Sequence, residues 1–540
     1  MRPTHPPLFR GAALRQIAML ALGLPCLFAL LGTARAEDRA EQAGRPNIVI
    51  ILADDLGFSD LGCYGSEIET PHLDRMFAEG MRFSQFYNCA LCGPSRAALM
   101  TGQFPHRVGV QGWTGLLNNR CVTLFELFKQ AGYQTAAVGR LDMATADNWH
   151  EPANIGRYVD HFLGSTGHAG PASYFHDVRN TDFFRDGRPF TLPEHCYKTD
   201  LISDFASDFV AQAAKHEQPF LLYVSEYAPH WPLHAKAADM EKYRQRYRET
   251  GWDAARQKRY ERLVASGLIA QTAALSPRDG RAAPWSEAAD HEWQADRMAA
   301  FAAQIDSLDQ GVGKILAALE KAGVDRNTLV MFLSDNGASD EAVNSSLDKP
   351  GQTWRVDGKP TAFGNHPHNA PGSPDTFVTA GPAWSNLSNT PFRGHKHSNF
   401  EGGIATPCIV RWPGVIPRPG TTCDELAHIV DVMPTCLDLA GIAYPSEFSG
   451  RSVAPVSGLS LAPVLRGGGR DGHASLCWST EGCRAVREAN WKLVAGKDGP
   501  WELYDMATDR TELHDLAAKY PDRVERMAKI FSAWQRLPER

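Results

Sequence analysis

Residues 47–55 have the sequence Asn-Ile-Val-Ile-Ile-Leu-Ala-Asp-Asp, an apolar run that ends in two adjacent carboxylates. This composition predicts a buried strand over residues 47–53. The run is apolar throughout instead of alternating with polar residues, which is typical of a parallel strand covered on both faces. Asp54 and Asp55 follow directly, so the carboxyl end of this strand is the first candidate for a functional position.

Similar strands alternate with helices along most of the remaining chain. The predicted strands are residues 81–87, 134–138, 220–225, 328–334 and 407–412, and the predicted helices are residues 71–79, 123–131, 200–214 and 297–322. This alternation predicts an α/β fold with a large, mostly parallel sheet flanked by helices.

The pattern changes after about Gly469, where the predicted elements become shorter. Strands at 474–478 and 491–494 and a final helix at 521–537 predict a smaller C-terminal α+β subdomain with an antiparallel sheet. The chain has 540 residues, more than one simple core usually supports. We therefore expect a catalytic domain over residues 46–468 and a C-terminal subdomain over residues 469–540.

The first 36 residues differ from the rest. Arg2, Arg10 and Arg15 precede an apolar run at 17–31, and the segment ends in Ala-Arg-Ala at 34–36. This pattern predicts a signal peptide that is cleaved near Ala36, and therefore a secreted or periplasmic protein. The run is short for a membrane span and no later segment approaches ~18 uninterrupted apolar residues, so no stable membrane anchor is expected.

The charge of the chain bears on its partners. The formal net charge is -7, and removal of residues 1–36, which contain four Arg and no acid, changes it to -11. A mildly acidic surface argues against nucleic acid as a partner, but a local cluster of Arg and Lys can still bind a small anion. Eleven cysteines are present at irregular spacing; Cys477 and Cys483 are the closest plausible disulfide pair outside the Cys89/Cys92 motif.

Two regions have the character of insertions in the predicted α/β domain. Residues 236–292 are charged and helical, whereas residues 344–390 are rich in Gly, Pro, Asn, His and Ser. Long irregular segments inside a compact domain are usually functional or disordered. We expect these two regions to govern substrate specificity.

Polar residues follow several of the predicted strands. Asp54 and Asp55 follow the first strand, Arg140 follows residues 134–138, and residues 227–230 and 335–336 follow two others. The carboxyl ends of strands in such sheets are where functional groups gather, so these side chains are expected to lie together.

The acidic members of this set favour a metal. Adjacent carboxylates such as Asp54 and Asp55 repel each other unless a positive charge lies between them. Asp335 and Asn336 add a third carboxylate and an amide oxygen. An all-oxygen ligand set suits calcium first and magnesium second, and the lack of His or Cys in these segments disfavours zinc.

Cys89 and Cys92 allow three interpretations: a buried structural pair, a Cys-x-x-Cys redox pair, or a helix start at which Cys92 meets an anion. A helix is expected to begin near Pro94. Arg96 would then lie in its first turn, where the helix dipole disfavours a cation. An Arg at that position therefore indicates an anion to be bound.

The run Cys-Gly-Pro-Ser-Arg at 92–96, followed by Ala-Ala-Leu-Met-Thr-Gly at 97–102, resembles the signature of the formylglycine sulfatases of the alkaline phosphatase superfamily. Further segments resemble other blocks of that family in the same order: residues 46–57, 197–200, 228–232, 334–337, 389–403, 491–493 and 503–505. The resemblance covers nearly the whole chain after residue 45. It implies an alkaline-phosphatase-like fold and hydrolysis of an aryl or carbohydrate sulfate.

The resemblance also implies the nucleophile and its metal. Cys92 would be oxidised to formylglycine by a formylglycine-generating enzyme, and its hydrate would attack sulfur. Calcium would be held by one oxygen of the converted Cys92 and by four further residues: Asp54, Asp55, Asp335 and Asn336.

The remaining roles follow from the same resemblance. Arg96 would orient the hydrate, and Lys396 would bind sulfate and approach the leaving oxygen. His230 would be the acid for the departing alcohol, a role suited to a group that titrates near neutrality.

One segment departs from the family pattern. The family has Gly-Lys-Trp-His-Leu-Gly where this chain has Gly-Arg-Leu-Asp-Met-Ala at 139–144. Arg140 can replace a sulfate-binding lysine because its planar fork binds oxyanions. Asp142 replaces a histidine that helps to expel sulfate; it could accept the proton, but it repels an anion unless Arg140 compensates. Alternatively His150 occupies that place, or catalysis is altered.

Two other functions remain open from the sequence. Phosphate is also a tetrahedral anion, so a phosphonate or phosphodiester hydrolase of the same superfamily would use the same residues. An anion-binding pseudoenzyme that lost turnover at Asp142 is the third possibility.

Overall fold

The computed structural model of the chain describes residues 44–110, 112, 117–142, 158–166, 174–175, 183–343 and 354–536. Its strands are β1 (Asn47–Ala53), β2 (Met81–Phe83), β3 (Phe86–Tyr87), β4 (Gln134–Arg140), β5 (His161–Ser165), β6 (Phe184–Arg185), β7 (Arg188–Pro189), β8 (Phe220–Ser225), β9 (Thr328–Ser334), β10 (Ala362–Phe363), β11 (Thr376–Phe377), β12 (Cys408–Arg411), β13 (Thr421–Cys423), β14 (Ala427–His428), β15 (Glu447–Phe448), β16 (Arg451–Ser452), β17 (Leu476–Thr480), β18 (Cys483–Glu488), β19 (Trp491–Ala495) and β20 (Glu502–Asp505).

The helices lie between and after these strands. They are α1 (Pro71–Ala78), α2 (Cys92–Thr101), α3 (Leu124–Gln130), α4 (Lys198–Ala213), α5 (Ala237–Ala265), α6 (His291–Lys321), α7 (Gly381–Ser388), α8 (Glu401–Ile404), α9 (Val432–Ala440), α10 (Ala462–Leu465) and α11 (Pro521–Gln535). α1 begins at a proline, whose fixed φ suits the first helical position. α3 begins with a capping box between Thr123 and Glu126.

A ten-stranded sheet forms the centre of the molecule, in the order β13-β2-β12-β9-β1-β8-β4-β5-β6-β7. β1 lies inside it and runs parallel to β8 and β9, and β4 runs parallel to β8 and β5. All seven residues of β1 are buried, and because alternate side chains point to opposite faces, both faces are covered there. The predicted α/β class with a mostly parallel sheet is confirmed.

Several boundaries differ from the predicted ones. The single strand expected at 81–87 is two strands, β2 and β3, and they belong to different sheets. β12 runs antiparallel to β9, so the sheet is mixed on that side. β5 was not predicted, because its sequence His-Phe-Leu-Gly-Ser lacks a clear apolar run.

The C-terminal part has the predicted small antiparallel sheet. β17, β18, β19 and β20 pair in sequence order, all antiparallel. Met527 and Phe531 of α11 join an apolar cluster with Leu493 and Leu503 of this sheet, separate from the main core. The helix covers one face of the sheet because its apolar residues recur at helical spacing.

The two regions predicted to be insertions differ in how much of them the structure describes. Much of residues 236–292 forms the long helix α5, which is interrupted at Gly251, where φ is 62° and ψ is 178°. An added Cβ at Gly251 would lie 2.3 Å from the Trp285 ring. The second region, residues 344–390, lies partly outside the described residues; its described part contains β10, β11 and α7.

Neither the disulfide nor the signal peptide gains support from the structure. The ten cysteines of the described residues are all free thiols, so Cys477 and Cys483, the closest plausible pair, do not form a disulfide. The two residues lie on neighbouring strands, but Cys477 pairs with Val486 and Cys483 with Thr480. The predicted signal peptide at 1–36 lies outside the described residues. In the described part of the chain, no helix is long and apolar enough to cross a membrane.

Gly139 permits the close approach of β4 and β8 immediately before Arg140. Its φ is 97°, and an added Cβ would lie 1.8 Å from the Ser225 carbonyl oxygen. Both the backbone conformation and the space therefore require glycine.

Gly139→Ala is expected to lower the free energy of unfolding by about 3 kcal/mol or more, because strain at positive φ and steric overlap both contribute. Gly323→Ala is the matched control, since Gly323 has φ 71° but open space around it, and its cost should be about 1 kcal/mol. Urea denaturation of both variants measures the difference. Equal costs would show that the overlap with Ser225 is relieved by relaxation.

Candidate active site

The carboxyl ends of β1, β4, β8 and β9 meet at one edge of the sheet, together with the start of α2. The ten residues predicted for the site all lie there in one connected cluster: Asp54, Asp55, Cys92, Arg96, Arg140, Asp142, His230, Asp335, Asn336 and Lys396. Parallel neighbours bring these segments together because their carboxyl ends share an edge.

Cys92 is the first residue of α2 and is fully buried. Its Sγ lies 3.4 Å from Asp54 Oδ1 and 4.0 Å from Asp55 Oδ1. Burial raises the pKa of the thiol well above its usual value, and the charges of Asp335 and Asp54 raise it further. The helix begins at Cys92 and not near Pro94 as expected, so the side chain projects from its amino-terminal end.

The pKa values of Asp54 and Asp335 are shifted in opposite directions. Burial raises the pKa of Asp54, but Arg140 and Arg96 outweigh it and lower the value to about 2. Burial and the neighbouring charge of Asp54 raise the pKa of Asp335 to about 7, although Arg96 opposes this. Arg96 and Arg140 therefore compensate only part of the negative charge of this pair of carboxylates.

Four of the five residues expected to bind the metal carry side-chain oxygens, and we call this group the oxygen cage: Asp54, Asp55, Asp335 and Asn336. One oxygen each of Asp54, Asp55 and Asp335, together with Cys92 Sγ, lie within 4.8 Å of one another. Asn336 Nδ2 donates to Asp55 Oδ1 at 2.6 Å, whereas Asn336 Oδ1 is buried and accepts no hydrogen bond from the described residues. A buried amide oxygen without a donor fits a metal ligand, because such a group is otherwise costly.

The charge of the cluster also fits a divalent cation. With the histidines neutral, five carboxylates face three permanent cations, which leaves two negative charges in excess: Asp54, Asp55, Asp142, Asp335 and Glu341 against Arg96, Arg140 and Lys396. Most of these groups are buried, so the excess charge is costly without a counterion. A hard divalent ion offsets it.

Arg96 contacts the carboxylates directly. Its Nε and Nη2 donate to Asp335 Oδ2 at 3.0 and 2.7 Å, and Nη2 lies 3.2 Å from Asp54 Oδ2. Its Nη1 donates to the Arg140 carbonyl at 2.6 Å and also to the Ser225 hydroxyl. The anionic groups that the sequence led us to expect near Arg96 are thus side chains of the protein itself.

Arg140 lies between two carboxylates. Nη1 is 2.6 Å from Asp54 Oδ2 and Nη2 is 3.1 Å from Asp142 Oδ2. Its Nε is buried and has no partner among the described residues. The Asp142 side chain is only 1 % exposed, so Arg140 supplies the compensation that a carboxylate at this position requires. His150, the alternative occupant, lies outside the described residues.

His230 and Lys396 form the opposite side of the cluster. His230 Nδ1 faces the Trp231 carbonyl at 2.5 Å, so Nδ1 carries a proton because a carbonyl only accepts. His230 Nε2 lies 3.4 Å from Lys396 Nζ and 3.6 Å from Asp55 Oδ2. The ring can therefore donate through Nε2 only when it is protonated. Burial disfavours the Lys396 ammonium, but Asp55 raises its pKa well above the usual value.

Glu341 is a member of this site that the sequence analysis missed. Its Oε2 accepts from Lys396 Nζ at 3.2 Å and from Trp231 Nε1 at 3.1 Å, and its Oε1 lies 3.0 Å from His397 Nε2. Burial opposes the Glu341 charge, but Lys396 and His397 hold its pKa well below the usual range. It follows β9 on the same loop as Asp335, which is the one signal that could have identified it.

Comparison with known proteins adds a family to this geometry. The sulfatase family model matches residues 46–442, and the model of the C-terminal part of N-sulphoglucosamine sulphohydrolase matches residues 395–533. An uncharacterized sulfatase of Schizosaccharomyces pombe is 30% identical, with 93% of this chain and 95% of the relative covered. The arylsulfatase of Klebsiella aerogenes is 32% identical, with coverages of 79% and 93%.

Two solved structures are similar to this chain over about nine tenths of its length. The crystal structure of Ps i-CgsB, which was also solved in complex with k-i-k-neocarrahexaose, has a TM-score of 0.64 and 25% identity, covering 91% of this chain and 93% of its own. A structure in complex with its substrate D-glucosamine-2-N,6-O-disulfate has a TM-score of 0.59 and 22% identity, covering 91% of this chain and 98% of its own. This second likeness bears on the fold alone.

The oxygen cage leads to a prediction about metal binding. After treatment with EDTA, calcium should raise the melting temperature of the protein, because a ligand that binds only the folded state stabilises it by about 2.7 kcal/mol at a hundred times its Kd. Asn336→Ala should remove most of this increase.

Asn369→Ala is the matched control, since Asn369 is another buried asparagine whose Oδ1 accepts no hydrogen bond from the described residues, but its Nδ2 donates to the carbonyls of Phe363 and Gly364 and not to a carboxylate. Differential scanning calorimetry with calcium, and separately with magnesium, measures the effect. An equal calcium response in Asn336→Ala and wild type would exclude Asn336 as a ligand.

Proposed function

Because the chain belongs to the sulfatase family, whose members are sulfuric ester hydrolases, we propose that it cleaves an aryl or carbohydrate sulfate with a formylglycine derived from Cys92 and a bound calcium ion. The observation that carries the proposal is the position of Cys92. The side chain that heads the family signature lies at the start of α2, beside the carboxylates of Asp54 and Asp55.

Calcium is the metal that the donor set favours. Asp54, Asp55, Asp335 and Asn336 would hold it through oxygen, with an oxygen of the converted Cys92 as a further ligand. Bound there, the ion would polarise sulfate oxygens and favour an ionised nucleophile. Magnesium is the second choice, because it demands near-ideal octahedral geometry and usually keeps several waters.

The conversion of Cys92 requires a partner, an enzyme of the formylglycine-generating class. The hydrate of formylglycine would supply the nucleophilic oxygen. Arg96 would hold this group through the carboxylate frame that it already binds, since its guanidinium fixes Asp335 and contacts Asp54. The frame is rigid because each of its members is buried and paired.

Sulfate binding and alcohol release would take place on opposite sides of this frame. Arg140 would bind a sulfate oxygen through Nε, because its two Nη atoms already contact Asp54 and Asp142. Lys396 would neutralise negative charge on the ester and on the leaving oxygen, and the protonated His230 would donate a proton through Nε2, which faces the same region as Lys396 Nζ.

Asp142 would take the proton when sulfate is released, in place of the usual histidine. Its ion pair with Arg140 supports this role, because the pair reduces the repulsion between the carboxylate and a bound anion. We further propose the unit boundaries 46–468 and 469–540 and export after cleavage near Ala36. The support for the export step is the basic, apolar and small-residue order of residues 1–36.

Mass spectrometry of the Cys92 peptide from natively expressed protein tests the nucleophile. We expect the mass of formylglycine in place of cysteine, and Cys92→Ala should lower turnover of 4-nitrophenyl sulfate about 10³-fold or more. An active preparation that contains only unmodified cysteine would overturn the mechanism.

The same preparation separates the two anion chemistries. Bis(4-nitrophenyl) phosphate should be cleaved more slowly than 4-nitrophenyl sulfate. The reverse order would favour the phosphodiesterase. Full conversion of Cys92 without turnover of either compound would favour the pseudoenzyme.

Asp142 is tested by two substitutions. Asp142→Asn should lower kcat about 10²-fold, because the proton acceptor is lost while the side-chain shape is kept. The kcat of Asp142→His should not exceed that of wild type, since Arg140 would lose one of its two ion-pair partners and keep only Asp54. Asp208→Asn, an exposed position on α4, is the control. A rise in kcat for Asp142→His would show that Asp142 is a defect and not a catalytic group.

A further inference from the structure

A cavity of about 330 Å³ lies between the start of α2 and the C-terminal sheet. Cys89 and Pro94, which flank the nucleophile in sequence, line it on one side, and Thr480 and Glu481 line it on the other. Thr480 Oγ1 donates to the Cys89 carbonyl at 3.1 Å, so the end of β17 packs directly on the segment that precedes Cys92. The volume falls in the range of small-molecule sites.

Aromatic side chains form much of the wall of this cavity. Phe104, His106, Trp478 and Trp534 all line it. His106 and Trp534 lie with their ring centroids 4.0 Å apart. Flat apolar rings with a few polar groups between them are suited to the faces of a sugar or aryl ring.

A chain of polar contacts joins the cavity to the leaving-group side of the active site. Glu481 Oε2 lies 2.9 Å from His397 Nδ1. His397 Nε2 lies 3.0 Å from Glu341 Oε1, and Glu341 Oε2 accepts from Lys396 Nζ at 3.2 Å. These contacts link the Glu481 side of the cavity to Lys396, one of the residues that would face the departing alcohol.

The charge of the cavity selects against a second anion. Among its described lining residues there is no lysine or arginine, and Glu481 is the one carboxylate. Burial and Arg107 lower the pKa of His106 to about 4, so that ring is neutral at pH 7. A sulfate or carboxylate group in this space would meet the Glu481 carboxylate, with no lysine or arginine among the described lining residues, whereas a hydroxyl can donate to it.

We propose that this cavity is a subsite for an uncharged sugar ring in the alcohol part of the substrate, with Glu481 accepting hydrogen bonds from its hydroxyl groups. The assignment rests on the proposed sulfatase function and narrows it to carbohydrate sulfates that carry no second anionic group next to the ester. The C-terminal subdomain then supplies specificity, because Trp478, Glu481 and Trp534 all belong to it.

The test compares Glu481→Gln with Glu488→Gln. Glu488 is on the adjacent strand of the same sheet, paired with Arg526 at the surface, so both variants lose one carboxylate of the subdomain. Each is assayed on 4-nitrophenyl sulfate and on a panel of monosulfated disaccharides of glucose, galactose and N-acetylhexosamines.

For the best disaccharide, Glu481→Gln should lower kcat/KM about tenfold through KM, the effect expected for a charged hydrogen bond. The aryl sulfate should change less than about twofold, and Glu488→Gln should match wild type on both. Adding a second sulfate to the disaccharide should reduce turnover by wild type more than by Glu481→Gln. Equal effects of Glu481→Gln on all substrates, or none, would overturn the assignment.

A binding measurement separates this proposal from the proposed function. Isothermal titration with the unsulfated form of each disaccharide needs no turnover and no converted Cys92. Binding by wild type that weakens about tenfold in Glu481→Gln and not in Glu488→Gln supports the subsite even if no sulfate ester is cleaved. If sulfates are cleaved but no unsulfated disaccharide binds, the subsite is wrong and the catalytic proposal stands.

Discussion

The repulsion among three buried carboxylates is the constraint on which the rest of this structure depends. Asp54, Asp55 and Asp335 meet at the edge of the sheet with almost no exposure to water, where negative charges cannot be screened. Arg96 and Arg140 offset part of the charge, and they can do so only because α2 begins at the place where β4 ends. The remaining excess of negative charge would favour a divalent ion in this cluster, and Cys92 lies in the same electric field. The fold and the chemistry are therefore linked by one electrostatic requirement.

Much of the fold could be predicted because its central strands carry a strong pattern. β1, β8 and β9 are apolar throughout, and β8 and β9 begin and end where the sequence predicts. Short peripheral strands such as β5 and β6 were not predicted from the sequence, since two to five residues without a clear apolar run carry no periodic signal. The direction of β12 could not be known either, because pairing direction depends on a partner that is distant in sequence.

The residues of the candidate site also fall into two groups, those that the sequence identifies and those that only the folded structure reveals. Groups directly after strong strands, such as Asp54 and Asp335, could be predicted from position, and the family resemblance added Cys92, His230 and Lys396. Glu341 had only its position after β9 as a signal in the sequence, because its importance arises from contacts with Lys396 and His397 that only the folded chain creates. The role of Arg96 also changed: its partners are carboxylates of the protein, and a sequence shows a charge without showing what neutralises it.

Several contacts within the site join residues that are far apart in the sequence, so the site depends on folding of most of the chain. Asn336 donates to a carboxylate 281 positions earlier, and Lys396 reaches one 341 positions earlier. Contacts of such length form late, because closing long loops loses chain entropy before any contact repays it. A proteolytic fragment that lacks either end of this span therefore lacks a member of the site. The active centre is therefore complete only in molecules in which the segment after β1 has met both the segment after β9 and Lys396.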